Sequence, residues 1–252
     1  MDLKQSVIAI TGAGQGLGQM MAITLAQSGA QLALIDMNEK GLKLTQEQCH
    51  MLSVKAMTYC ADVTNEQEVE SLFDNVVEDF GQLDGLINNA GILRDGLLVK
   101  FKDNEMSKMS LEQFNSVMNV NVVGTFLCGR EAAIKMIETE RKGVIINISS
   151  VAKAGNIGQT NYSASKAAVA TMATTWAKEL ARYGIRAAAI APGIVKTAMA
   201  EQLKPEAIER LNSMVPVGRM GQPNEIAHAA KYILENDYFS GRVLEVDGGM
   251  RM

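Results

Sequence analysis

The sequence predicts an α/β protein with a doubly wound, mainly parallel sheet that has helices on both faces. Short apolar segments alternate with segments of helical periodicity, about 12 to 25 residues each. Several of the apolar segments are continuously apolar, which is typical of strands buried on both faces. No tandem repeat, linker or low-complexity tract divides the chain. We therefore expect a single domain over residues 1–252.

Seven segments have the composition of buried strands. They are residues 6–11, 31–36, 53–59, 83–89, 143–149, 184–191 and 242–247. The least regular regions are 92–110 and 193–222. Because loops at the carboxyl ends of parallel strands hold the ligands of such sheets, we expect substrate specificity to reside in these two regions.

Composition and charge restrict the class of function. Of the 252 residues, 47% are hydrophobic, 21% are charged and only 4 are proline, which predicts a folded globule without long disorder. The net charge is −4 and the basic residues are scattered, which argues against a nucleic-acid or membrane-surface protein. No apolar run reaches the ~20 residues of a membrane span. A small-molecule or acidic-carrier substrate is expected instead.

The cysteines indicate the compartment. Cys49, Cys60 and Cys128 form no CxxC pair and no ligand spacing with a histidine. An odd, scattered set is typical of reduced thiols that are buried as small hydrophobic side chains. We expect a cytoplasmic protein with no metal site.

A glycine-rich segment, TGAGQGLG at residues 11–18, follows the first predicted strand and opens a helix. Gly12, Gly16 and Gly18 allow a tight turn and the close approach of a ligand, and amides at a helix N-terminus favour a diphosphate. A plain strand-to-helix turn also uses glycines, but the position in the first βαβ unit favours a dinucleotide site. A P-loop is excluded because no Lys-Ser or Lys-Thr pair follows the glycines.

Asp36 ends the second predicted strand. A carboxylate there accepts hydrogen bonds from the adenosine ribose and repels a 2′-phosphate, and neither Gln15 nor Met37 offsets its charge. The sequence therefore favours NAD(H), with NADP(H) as the alternative. Asp62, after the third strand, has two interpretations: a hydrogen bond to the adenine amino group, or a cap on a helix that starts near Thr64.

Further motifs occur at the spacing of one family. They are NNAG at 88–91, NVNVVG at 119–124, NISS at 147–150, YSASK at 162–166, APGIVKT at 191–197 and VDGG at 246–249. With these motifs the chain resembles the short-chain dehydrogenase/reductases over residues 6–249. The resemblance implies a Rossmann-type fold and hydride transfer that interconverts a ketone and a secondary alcohol.

The resemblance also implies a catalytic set. Tyr162 would be the general acid or base at the substrate oxygen, and Lys166, one helical turn later, would lower the pKa of the phenol and bind the nicotinamide ribose. Ser149, 13 residues before Tyr162, would hold the substrate oxygen, with its neighbour Ser150 ranked second. Asn121 would hold a water that links Lys166 to solvent. Taken alone, each of these residues has an ordinary structural interpretation.

Other positions would hold the cofactor. Residues 89–91 would leave room for the adenosine ribose, and residues 192–197 would meet the nicotinamide carboxamide. The full predicted set is Gly12, Gln15, Gly16, Leu17, Gly18, Asp36, Asp62, Val63, Asn89, Ala90, Gly91, Tyr162, Lys166, Pro192, Gly193, Val195 and Thr197.

Within the family the chain is most similar to the 3-oxoacyl-[acyl carrier protein] reductases, which implies reduction of a 3-oxoacyl thioester of an acyl carrier protein or of coenzyme A. Two features depart from them. Asp36 is one, since those reductases mostly use NADPH. The other is the charged stretch at 100–110, which is either a modified substrate rim or, as we favour, a tolerated insertion. An NAD-dependent 3-hydroxyacyl or other secondary-alcohol dehydrogenase is the alternative function.

Expectations about partners follow from the same resemblance. It implies a homotetramer that packs through segments 111–137 and 162–182. An acidic carrier would need basic residues near the site, and the candidates are Arg141 with Lys142 and Arg182 with Arg186, but we favour the interpretation that they are solvated helix ends. A non-catalytic nucleotide-binding scaffold is the alternative of a different class, and it is disfavoured because the Tyr, Lys and Ser are all present.

Overall fold

A computed structural model describes residues 1–196 and 205–251. Seven parallel strands form one sheet in the order β3-β2-β1-β4-β7-β8-β9, which confirms the predicted doubly wound sheet. The strands of this sheet are β1 (Val7–Thr11), β2 (Gln31–Asp36), β3 (Ala56–Cys60), β4 (Gly85–Asn88), β7 (Val144–Ile148), β8 (Arg186–Pro192) and β9 (Val243–Val246).

Helices cover both faces of the sheet. The α-helices are α1 (Gly16–Ala26), α2 (Glu39–His50), α3 (Glu66–Phe80), α4 (Leu111–Met118), α5 (Thr125–Glu138), α6 (Thr160–Glu179), α7 (Pro205–Ser213) and α8 (Pro223–Glu235). Ile8 and Ile10 of β1 pack towards α1, α2 and α8, whereas Val7 and Ala9 pack towards α3, α5 and α6. This follows from the alternation of side chains along a strand. Within the described part of the chain, no helix is long and apolar enough to cross a membrane.

The direction of strand order reverses next to β1. Its neighbours are β2 on one side and β4 on the other, so the crevice above their carboxyl ends is the place where sheets of this type bind ligands. The Thr11 hydroxyl oxygen accepts hydrogen bonds from the amides of Asn89 and Ala90, both at 3.0 Å. These bonds hold the carboxyl ends of β1 and β4 together.

The structure corrects two expectations: the third strand starts later than predicted, and Cys60 is not buried. That strand starts at Ala56 because α2 ends in a turn in which Ser53 adopts a φ of +60°. Cys49 and Cys128 are buried as expected, but Cys60 is exposed because β3 is an edge strand whose final residue reaches the surface.

The charged stretch at 100–110 forms an antiparallel ribbon that the sequence interpretation missed. It consists of β5 (Val99–Lys102) and β6 (Glu105–Lys108), and every residue of both strands is exposed. Asp103 and Asn104 have φ of +54° and +61°, which is the backbone of a two-residue hairpin turn. Asp and Asn tolerate this conformation better than other side chains, so the pair was a usable signal.

Candidate active site

The glycine loop between β1 and α1 is open to a phosphate ligand. Gly12 and Gly16 have φ of +67° and +57°, in the left-handed region that favours glycine. A Cβ on Gly18 would overlap the carbonyl oxygen of Gly12, whereas a Cβ on Gly16 would meet nothing within 4 Å. Gln15, the N-cap of α1, makes no side-chain capping bond. The first amides of α1 therefore face open space that fits a diphosphate.

Asp36 faces this loop from the end of β2. Its Oδ2 accepts a hydrogen bond from the Gly14 amide and its Oδ1 accepts one from the Asn38 amide, both at 2.9 Å. The carboxylate is thereby fixed at the wall of a cavity of about 510 Å³, with lone pairs left for further donors. The predicted cofactor residues along this cavity are Gly12, Gln15, Leu17, Asp36, Asp62, Val63, Asn89, Ala90 and Gly91.

Asp62 does not cap a helix. Its Oδ1 accepts hydrogen bonds from the amide and the hydroxyl of Thr64, at 2.9 and 2.8 Å, and so closes a turn. Helix α3 begins later, at Glu66, and Asn65 is its N-cap. The capping interpretation is therefore wrong, while the position of Asp62 on the cavity wall suits a contact with adenine.

Asn89 holds the glycine loop against β4. Its Nδ2 donates to the carbonyl oxygens of Thr11 and Gly12, at 3.0 and 3.1 Å. From the sequence, residues 89–91 were expected only to leave room for the adenosine ribose. The hydrogen bonds of Asn89 to the glycine loop were missed.

A second cavity, of about 520 Å³, contains the predicted catalytic tyrosine and lysine. It shares Leu17, Asn89, Gly91, Ile92 and Leu93 with the first cavity, so the two form one groove across the carboxyl ends of the strands. The predicted residues along its wall are Leu17, Asn89, Gly91, Ser149, Tyr162, Lys166, Pro192, Gly193 and Val195. Thr197 lies outside the described residues.

Lys166 is buried beside Tyr162. Its Nζ donates a hydrogen bond of 2.7 Å to the Ile148 carbonyl oxygen and lies 5.6 Å from the centroid of the Tyr162 ring. Burial lowers the pKa of the ammonium to about 8, because desolvation disfavours its charged form. The group therefore still carries its proton at neutral pH.

The pKa of Tyr162 is raised, which contradicts the expected direction. Burial of the phenol is the main cause, and the nearby carboxylate of Asp95 adds to it, whereas a hydrogen bond with Ser150 acts in the opposite direction. Lys166 does not offset the burial in the free protein. Tyr162 is therefore a neutral phenol that can donate a proton.

The structure places Ser150, and not Ser149, at the phenol of Tyr162. The Ser149 side chain is buried, and its hydroxyl donates a hydrogen bond of 2.7 Å to the Lys166 carbonyl oxygen. Ser150 lowers the pKa of the Tyr162 phenol, and its Oγ accepts a hydrogen bond of 3.1 Å from the Ala152 amide. Both serines line the cavity together with Tyr162. The contact of Ser149 with the substrate oxygen therefore stays a prediction, and the hydroxyl of Ser149 already donates to the backbone of α6.

Asn121 lies in a π-helical segment (Asn119–Gly124) between α4 and α5. Its Oδ1 accepts a hydrogen bond from the Ile92 amide, and its Nδ2 donates to the Ile92 carbonyl oxygen and to the Ser165 hydroxyl, at 2.8, 3.1 and 3.0 Å. Both side-chain donors are thus used on the protein. The carboxamide holds the loop after β4, and the role of Asn121 in holding a water stays a prediction.

The basic pairs considered for an acidic carrier lie elsewhere. Arg141 donates to Asp84, which precedes β4. Arg186 starts β8 and donates to the carbonyl oxygens of Ile233, in the last turn of α8, and of Phe239, which follows this helix. Both arginines therefore lie at the amino ends of the strands, opposite the groove, so the alternative that they flank the site is wrong for Arg141 and Arg186. Among the residues the structure describes, no group of three His, Cys, Asp or Glu side chains could hold a metal ion.

Comparison with known proteins defines the class first. A family model described as enoyl-(acyl carrier protein) reductase matches residues 12–251. The chain belongs to the short-chain dehydrogenase/reductase family and is an oxidoreductase.

The individual relatives narrow this class. The chain is 39% identical to the 3-oxoacyl-[acyl-carrier-protein] reductase FabG of Thermotoga maritima, over 99% of each chain. It is 36% identical to the 3-oxoacyl-[acyl-carrier-protein] reductase of Homo sapiens, over 98% of each chain. The structure superposes on NAD⁺-bound xylitol dehydrogenase with a TM-score of 0.88 and 29% identity, covering 99% of this chain and 100% of that one. It superposes on levodione reductase with a TM-score of 0.88 and 33% identity, covering 98% and 97%.

Proposed function

We propose that this protein reduces a 3-oxoacyl thioester, carried by an acyl carrier protein or by coenzyme A, to the 3-hydroxyacyl thioester with NADH. The observation that carries the proposal is that Ser150, Tyr162 and Lys166 lie together on the wall of the 520 Å³ cavity. The names of the similar reductases from Thermotoga maritima and Homo sapiens supply the substrate class.

The roles of the residues follow from this geometry. A bound nicotinamide dinucleotide would supply the hydride. Ser150 and Tyr162 bind the carbonyl oxygen of the substrate, and Tyr162 donates its phenolic proton to that oxygen as negative charge develops there. Lys166 stabilises the phenolate that remains, because its ammonium is buried and close to the ring. Asn121 keeps Ile92 and the loop after β4 in place along the groove.

The raised pKa of Tyr162 supports reduction over oxidation. Reduction needs a protonated phenol as donor, whereas oxidation of an alcohol needs a phenolate as base, and a raised pKa favours the protonated form. The second candidate is an NAD-dependent 3-hydroxyacyl or other secondary-alcohol dehydrogenase. Asp36 and the likeness to an NAD⁺-bound xylitol dehydrogenase favour that candidate.

Asp36 supports the preference for NADH. Two backbone amides fix its carboxylate on the wall of the 510 Å³ cavity, so a 2′-phosphate bound there would meet a fixed negative charge. The ribose hydroxyls of NADH would instead donate to the free lone pairs of the same carboxylate.

A cytoplasmic homotetramer is the proposed form of the protein. Exposed apolar residues on α5, namely Phe126, Ile134 and Ile137, support packing between copies through this helix. The proposal of an acyl carrier protein as partner rests on the relatives' names and not on a basic surface of this chain.

A substrate panel tests the proposed function. Acetoacetyl thioesters of acyl carrier protein and coenzyme A, a crotonyl thioester and a ketopentose would each be offered with NADH and with NADPH, and nicotinamide absorbance followed. We expect the fastest reaction from an acetoacetyl thioester with NADH. Turnover of the crotonyl thioester or the ketopentose without turnover of either acetoacetyl thioester would contradict the proposal.

A further inference from the structure

A short segment between β4 and β5 forms one wall of the substrate cavity. This rim segment, residues 92–96, belongs to no strand or helix, and its residues Ile92, Leu93 and Arg94 line the 520 Å³ cavity. Its position is therefore set by individual hydrogen bonds. Asn121 holds Ile92 at one end, and the Gly96 amide donates to the Gly158 carbonyl oxygen at the other, at 2.8 Å.

Two side-chain amides hold the middle of the rim segment. Asn161 Nδ2 donates to the Arg94 carbonyl oxygen at 2.9 Å, and Gln113 Nε2 donates to the same oxygen at 3.0 Å. Gln113 Nε2 also donates to the Asp95 carbonyl oxygen at 3.0 Å. Asn161 Nδ2 reaches the Gln113 carbonyl oxygen at 3.3 Å, so the two residues are joined to each other.

Asn161 also contacts the backbone of the proton donor. Its Oδ1 accepts a hydrogen bond of 2.8 Å from the Tyr162 amide, in the first turn of α6. Gln159, the N-cap of this helix, makes no side-chain capping bond. Asn161 therefore satisfies the Tyr162 amide, which would otherwise be left to solvent. The side chain is completely buried and its three bonds leave it one geometry.

We propose that Asn161 and Gln113 are positioning residues that fix the rim segment relative to Tyr162 and thereby determine the affinity for the carbonyl substrate. The inference rests on the proposed function and extends it to residues that touch neither substrate nor cofactor. A displacement of the rim changes the distance between the cavity wall and the phenol. Misplacement by about 1 Å can lower catalytic efficiency about 100-fold.

The affected constant is expected to be the KM of the substrate. Gln113 contacts the rim but not Tyr162, so its removal loosens the cavity wall and leaves the proton donor in place. The dinucleotide loop and Asp36 lie at the other end of the groove and do not contact Gln113.

Gln113→Ala, with Gln46→Ala as its matched control, tests the inference. Both side chains are half-buried glutamines that donate to backbone carbonyl oxygens, but Gln46 bonds to Ala56, far from the groove. We expect Gln113→Ala to raise the KM for acetoacetyl thioester about tenfold, with kcat and the Kd for NADH within about threefold. Gln46→Ala should leave all three constants unchanged. An unchanged KM in Gln113→Ala would overturn the inference.

Hydrogen exchange of the peptide containing residues 92–98 separates this inference from the proposed function. We expect faster exchange of this peptide in Gln113→Ala than in Gln46→Ala, whether or not the wild type reduces a thioester. If the wild type reduces none, the proposed function fails, and equal exchange in the two variants would overturn the positioning role as well. Asn161→Ser, which keeps a short polar side chain, should give the same direction of change in both measurements. Unchanged values in this folded variant would contradict the role of Asn161.

Discussion

The hydroxyl of Ser149 donates a hydrogen bond of 2.7 Å to the Lys166 carbonyl oxygen in α6, whereas the next residue, Ser150, lies on the cavity wall with Tyr162 and lowers the pKa of its phenol. The two serines follow β7, and consecutive residues of an extended chain point to opposite sides. We therefore expect the hydroxyl of Ser149 to contribute to stability and the hydroxyl of Ser150 to contribute to the reaction.

Substitution of each serine tests this division. Ser150→Ala should lower kcat with acetoacetyl thioester about 100-fold, because one donor to the substrate oxygen is lost. Ser149→Ala should keep kcat within about threefold and lower the free energy of unfolding by about 1 kcal/mol. Steady-state rates and urea denaturation measure the two effects. A larger loss of kcat in Ser149→Ala would restore the assignment made from spacing.

The pH dependence of reduction should respond to Asp95 and Ser150 in opposite directions. Reduction requires a protonated Tyr162, so beyond the first fall in rate near pH 8, where Lys166 loses its proton, the rate has a second alkaline limb at which the phenol ionises. Asp95 raises the pKa of Tyr162, so Asp95→Asn should move the alkaline limb to lower pH. The hydrogen bond with Ser150 lowers that pKa, so Ser150→Ala should move the limb to higher pH. Profiles of kcat/KM that shift in the same direction would contradict the assignment of Tyr162 as the acid.

Lys166 should limit stability while it supports activity. Its pKa of about 8, against an ordinary 10.5, corresponds to about 3 kcal/mol of lost stability at neutral pH. Between these two values the unfolded chain binds more protons than the folded one, so stability from this group rises with pH. Lys166→Met should abolish turnover but be at least as stable as wild type at pH 7. Its advantage in urea denaturation should shrink between about pH 8 and pH 10. The difference in free energy of unfolding between Lys166→Met and wild type should be larger at pH 7 than at pH 10. The opposite order would contradict this account.

Asp36 should control the choice of dinucleotide. Asp36→Ala removes the fixed charge and should change the ratio of kcat/KM for NADPH to that for NADH at least ~10-fold in favour of NADPH. Glu39→Ala is the control, because this exposed carboxylate is close in sequence but does not line the cavity. A higher kcat/KM for NADPH than for NADH in the wild-type protein would refute the proposed role of Asp36 in excluding NADPH.

The exposed ribbon of β5 and β6 should be dispensable. The Met109 amide donates to the Leu98 carbonyl oxygen at 3.2 Å, so the two ends of the ribbon are adjacent and a two-residue Asn-Gly turn can replace residues 99–108. Because all residues of both strands are exposed, we expect the free energy of unfolding to change by less than about 1 kcal/mol and the substrate KM to stay within about threefold. A large rise in KM would show that the ribbon is a substrate rim.

The sheet and the groove could be predicted from the sequence because they depend on local signals. Continuous apolar runs define buried strands, and the glycines after β1 define the phosphate loop. The serine could not be assigned in this way, since a count of residues does not show which of two adjacent hydroxyls faces the cavity. The direction of the Tyr162 pKa was also missed, because burial of the phenol by tertiary packing outweighs a lysine one turn away. Asn161 bonds to Arg94, which lies 67 positions earlier in the chain, and no local sequence pattern predicts such a contact.

Proton donation by Tyr162 is the central claim, and Tyr162→Phe tests it most directly. The variant keeps the half-buried ring and removes only the hydroxyl. With acetoacetyl thioester and NADH, we expect wild type to consume NADH and Tyr162→Phe to lose at least ~100-fold in kcat, while the Kd for NADH stays within about threefold. Equal rates of NADH consumption in the two proteins would contradict the claim.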